Sequence, residues 1–209
     1  MAFDLEEQEQ LDALKAFWSS KGKWIAAALL AAAAGYLGYV GWAHYQKGQA
    51  EQAVEVYGSV DTALQKGDLA ALKGVQSKLA AEYPNSAYAV RAALLGAKLA
   101  FDKGDVAYTE SQLKWVLANS KDADLKSVAR LRLAAVLLDQ KKFDAAISEL
   151  GQEHPVAFDA LFLDMKGDVA SAKGDTKQAR DAYRAALAKL VGESPNRQFI
   201  QTKLDALGG

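Results

Sequence analysis

The chain has 209 residues, about half of them apolar, and its 26 acidic side chains almost balance 25 basic ones. That dispersed, near-neutral charge leaves no electrostatic footprint for nucleic acid, and the absence of cysteine excludes disulfides and thiolate metal centres. Abundant alanine and only three prolines favour an all-α fold, because alanine loses the least side-chain freedom in a helix.

Residues 1–23 form a tail that begins acidic, with Asp4, Glu6, Glu7, Glu9 and Asp12. Phe3, Leu11, Leu14 and Trp18 fall near one helical face. Two readings fit them: a small amphipathic helix meeting a membrane surface or a partner, and a helical lead-in with a solvated acidic side. Ser19, Ser20 and Gly22 predict a looser chain just before the next segment.

Residues 24–45, WIAAALLAAAAGYLGYVGWAHY, carry no formal charge if His44 is neutral. At the helical rise this run reaches roughly 30 Å, the thickness of a bilayer's hydrocarbon core. Trp24 stands at one end, Trp42 and Tyr45 at the other, and such rings prefer the headgroup level. The run therefore predicts a single transmembrane helix. A cleaved signal peptide and a buried soluble helix are the competing readings. The long apolar core, the long acidic leader and the aromatics at the cleavage position argue against the first, and the lack of a polar face against the second. Lys15, Lys21 and Lys23 precede the run, whereas Lys47 follows it and is soon joined by Glu51 and Glu55. The positive-inside rule then places the N-terminus in the cytoplasm and the larger C-terminal part outside it. Ala27, Ala31 and Gly35 lie four apart, as do Ala34 and Gly38. Small residues so spaced let membrane helices approach closely, although an alanine-rich helix also matches the pattern by chance.

Residues 46–209 repeat themselves. Lys66-Gly67-Asp68, Lys103-Gly104-Asp105 and Lys173-Gly174-Asp175 look like one turn used three times, with Lys141-Lys142-Phe143 in the same place in the remaining unit. Gly67, Gly104, Lys141 and Gly174 are separated by 37, 37 and 33 residues, which brackets the period of about 34 of tetratricopeptide repeats. Glycine suits a left-handed helix C-cap, and the aspartate after it suits the next N-cap. Four further positions recur around each mark: Val60, Ala97, Ala134 and Gly167 seven before it; Ala63, Ala100, Leu137 and Ala170 four before; Leu72, Thr109, Ala146 and Ala179 five after; Gln76, Leu113, Leu150 and Tyr183 nine after. Most are small or apolar, as a seam between paired helices requires. Gln76 and Thr109 break the pattern and predict shifted or distorted helices there. Pro84 ends one unit before the next begins.

The anchor helix is expected to run into a first repeat helix over residues 50–65, and the helix pairs to continue to about Val191. The second helix of the third unit should be clipped by Gly151 and Pro155. A helix over residues 195–207 should close the stack, since terminal repeats need a cap. In this frame the groove-facing side chains are Tyr57, Arg91, Lys98, Phe101, Leu131, Leu161 and Asp164. An error of one residue turns a helix by about 100°.

No catalytic or metal-ligating constellation is visible and no cofactor is implied. His44 and His154 are far apart in sequence and neither has metal-ligand spacing. There is no phosphate-binding glycine loop and no nucleophile elbow. The expectation is a non-enzymatic binding protein.

Glu9–Trp18, Lys21-Gly22-Lys23, the single span, the stretch Leu125–Leu138 (LKSVARLRLAAVLL) and the stretch Met165–Tyr183 occur in an order that resembles the YfgM-like family, ancillary subunits of the bacterial SecYEG translocon. The resemblance covers essentially the whole chain. It implies an inner-membrane protein with a periplasmic repeat domain, no catalytic residues, and as partners the SecYEG translocon, the membrane-anchored chaperone PpiD, other periplasmic folding factors and client polypeptides. A tetratricopeptide adaptor of another envelope complex, and a regulator acting through the cytoplasmic tail, are the alternatives.

Overall fold

A computed structural model describes residues 2–190, 192 and 194–208, with side chains from residue 7 onward; the side chain of Phe3 and all of Val191 lie outside the described residues. The described residues contain helices and no strand. The chain divides into two compact units, Met1–Glu51 and Gln52–Gly209.

The first unit belongs to one long helix, α1 (Ala2–Tyr57). Ser19–Gly22 does not loosen it. The Ser19 hydroxyl donates to the Ala16 carbonyl at 3.0 Å, and Gly22 is roofed by the Trp18 ring, which a Cβ there would meet at 3.4 Å. Helical hydrogen bonding thus outweighs the local preference of these residues for turns. Trp24, Leu29, Leu30, Tyr36, Leu37, Tyr39 and Trp42 are all exposed, and their spacing carries apolar surface right round the helix. A helix apolar on all sides is one that lipid or other protein must cover. It is the one helix among the described residues long and apolar enough to cross a bilayer. Ala27, Ala31 and Ala34 are exposed on it, and the side-chain directions of Gly35 and Gly38 meet nothing within 4 Å.

The second unit is built from helix pairs. Helix α2 (Ser59–Gln65) pairs with α3 (Leu69–Glu82), and Ala53, Val56 and Tyr57 at the end of α1 share a core with Leu72 and Leu79. Then follow α4 (Ala87–Asp102) with α5 (Val106–Asn119), α6 (Ala123–Asp139) with α7 (Phe143–Leu150), and α8 (Asp159–Lys173) with α9 (Thr176–Lys189). A short 3-10 turn, Val156–Phe158, leads into α8, and α10 (Pro195–Ala206) packs on α9 as the closing helix. The first repeat helix is interrupted at Gly58, whose amide is shared between the Val54 and Glu55 carbonyls at 3.0 and 3.2 Å. Its backbone stays near helical values, φ −54° and ψ −25°.

The four sequence marks are one structural turn. Gly67, Gly104, Lys141 and Gly174 all have left-handed backbone, φ 60°, 78°, 60° and 87°. After each, the amide of Asp68, Asp105, Lys142 or Asp175 donates to the carbonyl of Ala63, Ala100, Leu137 or Ala170 at 2.8 or 2.9 Å. That bond satisfies a carbonyl orphaned at the helix end. The side chains of Asp68, Asp105 and Asp175 then accept from the amides of Ala71, Tyr108 and Gln178 at 2.9, 3.1 and 2.9 Å, capping α3, α5 and α9.

All the recurring seam positions are buried. Contrary to the expectation from their polarity, Gln76 and Thr109 cause no shift. Both are buried in register, and the Thr109 hydroxyl lies 2.9 Å from the Asp105 carbonyl and 3.2 Å from that of Ala97. A hydroxyl satisfied in this way fits where alanine stands elsewhere. At the fourth pair Gly167 makes room for its partner helix: a Cβ there would run into the Tyr183 ring. As expected, α7 is short and α10 closes the stack, burying Ile200 and Leu204 with Ala170, Ala179, Tyr183 and Ala186.

Candidate protein-interaction cleft

Between the first helices of consecutive pairs lies a cleft of about 290 Å³. Helix α4 supplies Ala97, Lys98, Phe101 and Asp102, α5 supplies Thr109 and Leu113, and α6 supplies Arg132, Ala135 and Val136. The space exists because Ala97 and Ala135 are small where two helices face each other. Its floor is apolar, and the Thr109 hydroxyl is spent on backbone carbonyls.

Charge is confined to the rim. The Lys98 ammonium lies 2.8 Å from Asp102, one helical turn on. The Arg132 guanidinium donates to the Leu94 carbonyl at 3.2 Å. Phe101 is 42% exposed although it sits over an apolar recess.

Of the side chains expected to face a groove, Lys98 and Phe101 are brought together here. Arg91 is exposed on α4 but does not line the cleft. Tyr57 is half-buried against Tyr88, ring centroids 5.3 Å apart, and burial, with the nearby Asp61 carboxylate, pushes its phenol above the usual range. Leu131 is half-buried against the core, and its neighbour Arg132 reaches the cleft instead. Leu161 is half-buried on α8.

Asp164 is engaged within the domain. Lys203 of α10 lies 2.9 Å from Asp164 and 2.7 Å from Asp168, and Asp168 also accepts from the Tyr183 hydroxyl at 2.8 Å. Burial, helped by the neighbouring Asp168 carboxylate, raises the Asp164 pKa against the pull of Lys203. Burial works against the Lys203 charge as well, but the two carboxylates outweigh it and its pKa is raised.

Two features escaped the sequence reading. Arg132 lies inside a stretch already singled out, one residue off the frame used for the groove. The Lys203 contact joins residues 39 and 35 positions apart, which helical periodicity does not encode.

His154 stacks on Phe162 at 3.8 Å, with Nδ1 2.9 Å from the Gln152 carbonyl and Nε2 3.4 Å from Asp159. Among the described residues no group of three or more His, Cys, Asp or Glu side chains could hold a metal ion.

The model of a tetratricopeptide repeat-like domain matches residues 15–209. The chain is 39% identical to the ancillary SecYEG translocon subunit of Neisseria gonorrhoeae over 99% of its own length and 100% of the relative's. It is 31% identical to the protein of the same name from Haemophilus influenzae, over 99% and 100% of the two chains. It is also 31% identical to that from Escherichia coli, over 96% of each. Among solved structures, a MamA RS-1 ArsTM double mutant superposes with a TM-score of 0.53 at 18% identity, covering 77% of this chain and 96% of that one, which shows a shared fold alone. With its helix pairs, its one long apolar helix and its end-to-end similarity to these relatives, the chain belongs to the family of ancillary SecYEG translocon subunits, built on a tetratricopeptide repeat-like domain.

Proposed function

We propose that the chain is a non-enzymatic, membrane-anchored interaction scaffold of the SecYEG translocon, which helps periplasmic folding factors receive newly translocated proteins. The observation that carries this reading is the similarity, over nearly the full length of both chains, to proteins named for that assembly. Residues 24–45 cross the inner membrane. The lysines at 15, 21 and 23 keep residues 1–23 in the cytoplasm, and residues 46–209 stand in the periplasm. The faces carrying Ala27, Ala31 and Gly35, and Ala34 and Gly38, pack against a membrane helix of the complex, where open glycine surfaces allow close approach. The cleft at Lys98 and Phe101 contacts emerging clients or the chaperone PpiD, with Arg91, Tyr57 and Leu161 extending the surface along the stack.

The test is photo-crosslinking of the full-length protein in native membranes, with probes at Ala31 and at Phe101. Adducts from position 31 to SecY, SecE or SecG, and from position 101 to PpiD or to secreted clients, support the reading. Adducts dominated by a different envelope complex would overturn it and leave an anchored adaptor of that complex.

A further inference from the structure

We propose that the α4–α6 cleft selects polypeptide segments in which a bulky apolar side chain stands beside a carboxylate. This rests on the scaffold reading above and gives the chemistry of what the scaffold holds.

The apolar half of the preference comes from the cleft's walls. Ala97, Leu113, Ala135 and Val136 leave a recess of about 290 Å³, close to the lower size limit of ligand pockets, about 300 Å³. No polar atom of the floor is left wanting a partner, since Thr109 bonds to the backbone. A polar side chain would lose its water there and gain nothing. The exposed Phe101 ring at the rim would be covered by an apolar occupant.

The acidic half comes from Arg132. Lys98 and Asp102 neutralise each other, so the lining carries one uncompensated positive charge. Among the described residues Arg132 has no carboxylate within 4 Å. Among the described residues only the Leu94 carbonyl accepts from its five N–H groups, and that bond draws the guanidinium to the cleft edge and leaves the other donors open. Arg132 is exposed at the rim, so a carboxylate there is selected by charge sign and by the fork of donors beside an apolar wall rather than by burial of the pair. A cationic segment is repelled by the same group.

The experiment uses the full-length protein in detergent micelles on an array of short peptides tiled from secreted proteins. The best binder is resynthesised with fluorescein for anisotropy titration. Bound peptides should be enriched in Phe, Leu or Trp within two residues of Asp or Glu. Arg132→Glu should weaken the titrated peptide by about tenfold or more and turn array selection toward Lys and Arg. Phe101→Ala, with folding checked by circular dichroism, should weaken apolar selection while keeping the acidic one. Selection that ignores acidic residues, or that is the same for wild type and Arg132→Glu, overturns the proposal. Co-purification with SecY is read in parallel: if it persists while charge selection is absent, the cleft proposal fails alone. If it is lost for the wild type while peptide selection persists, the scaffold reading fails and the cleft chemistry stands.

Discussion

The third and fourth helix pairs close the same turn with different residues. At the fourth, Gly174 takes the left-handed position without a side-chain clash and Asp175 caps α9. At the third, Lys141 takes that position against its own preference, and Lys142 gives α7 no side-chain cap. The third turn is held instead from outside. Glu110 of α5 accepts from Gln140 at 2.6 Å and lies 3.8 Å from Lys142, and Leu137, Ala146 and Leu150 are buried around it. A repeat can therefore lose its local turn signals and keep its geometry, provided that a neighbouring repeat supplies the hydrogen bonds and the packing. The fourth pair is set locally and the third by its neighbours.

Substitutions can break or sharpen that contrast. Leu150→Ala should cost about 2–5 kcal/mol, since packing is what holds α7, and the loss should appear in the thermal midpoint followed by circular dichroism. Gly167→Ala drives a methyl into the Tyr183 ring and should cost about 1–3 kcal/mol by the same measurement. A matched pair comes next: Asp175→Ala and Glu110→Ala should each cost about 1 kcal/mol. Hydrogen exchange should show the first loosening the α8–α9 turn and the second the α6–α7 turn; the same turn opening in both variants would erase the distinction. Lys141→Gly relieves left-handed strain and should stabilise by about 0.5–1 kcal/mol after the added freedom of the unfolded chain is counted.

The smallest effect is with acid. The Gln140 hydrogen bond holds Glu110 below its usual range despite burial, and the Lys73 hydrogen bond does the same for Asp105. A depressed folded pKa means that the stabilisation is present above the unfolded value, about 4, and is lost as pH falls through the folded value. Exchange at the second and third turns should therefore quicken at acid pH, and Glu110→Gln should flatten that dependence at the third turn only.

Much of the repeat frame was legible in the sequence. Gly67, Gly104 and Gly174 mark turns because a left-handed residue is a local requirement, and the buried seam follows at fixed offsets from them. Lys141 could be matched only by spacing. Gln76 and Thr109 misled because polarity reads as exposure, whereas a threonine hydroxyl can be satisfied inside a helix pair. The cleft was half legible. Lys98 and Phe101 lie on it, but the repeat frame points to Leu131, one residue away from Arg132, and one residue is about 100° of helix. Asp164 looked available because nothing in its own repeat takes it. Its partner Lys203 comes from the closing helix, and which carboxylate such a lysine finds is a tertiary fact.

That ion pair also ties the closing helix to one repeat in particular. Ten and six residues before their turn marks, the four first helices carry Tyr57 and Asp61, Leu94 and Lys98, Leu131 and Ala135, and Asp164 and Asp168. Only the last offers two carboxylates, and Lys203 lies on both. The closing helix thus recognises the end of the array by charge as well as by its apolar face. Duplicating a middle repeat would leave the Lys203 contacts in place, whereas deleting the final repeat would strand Lys203 beside Leu131 and Ala135, so the two changes are not equivalent for the closing helix.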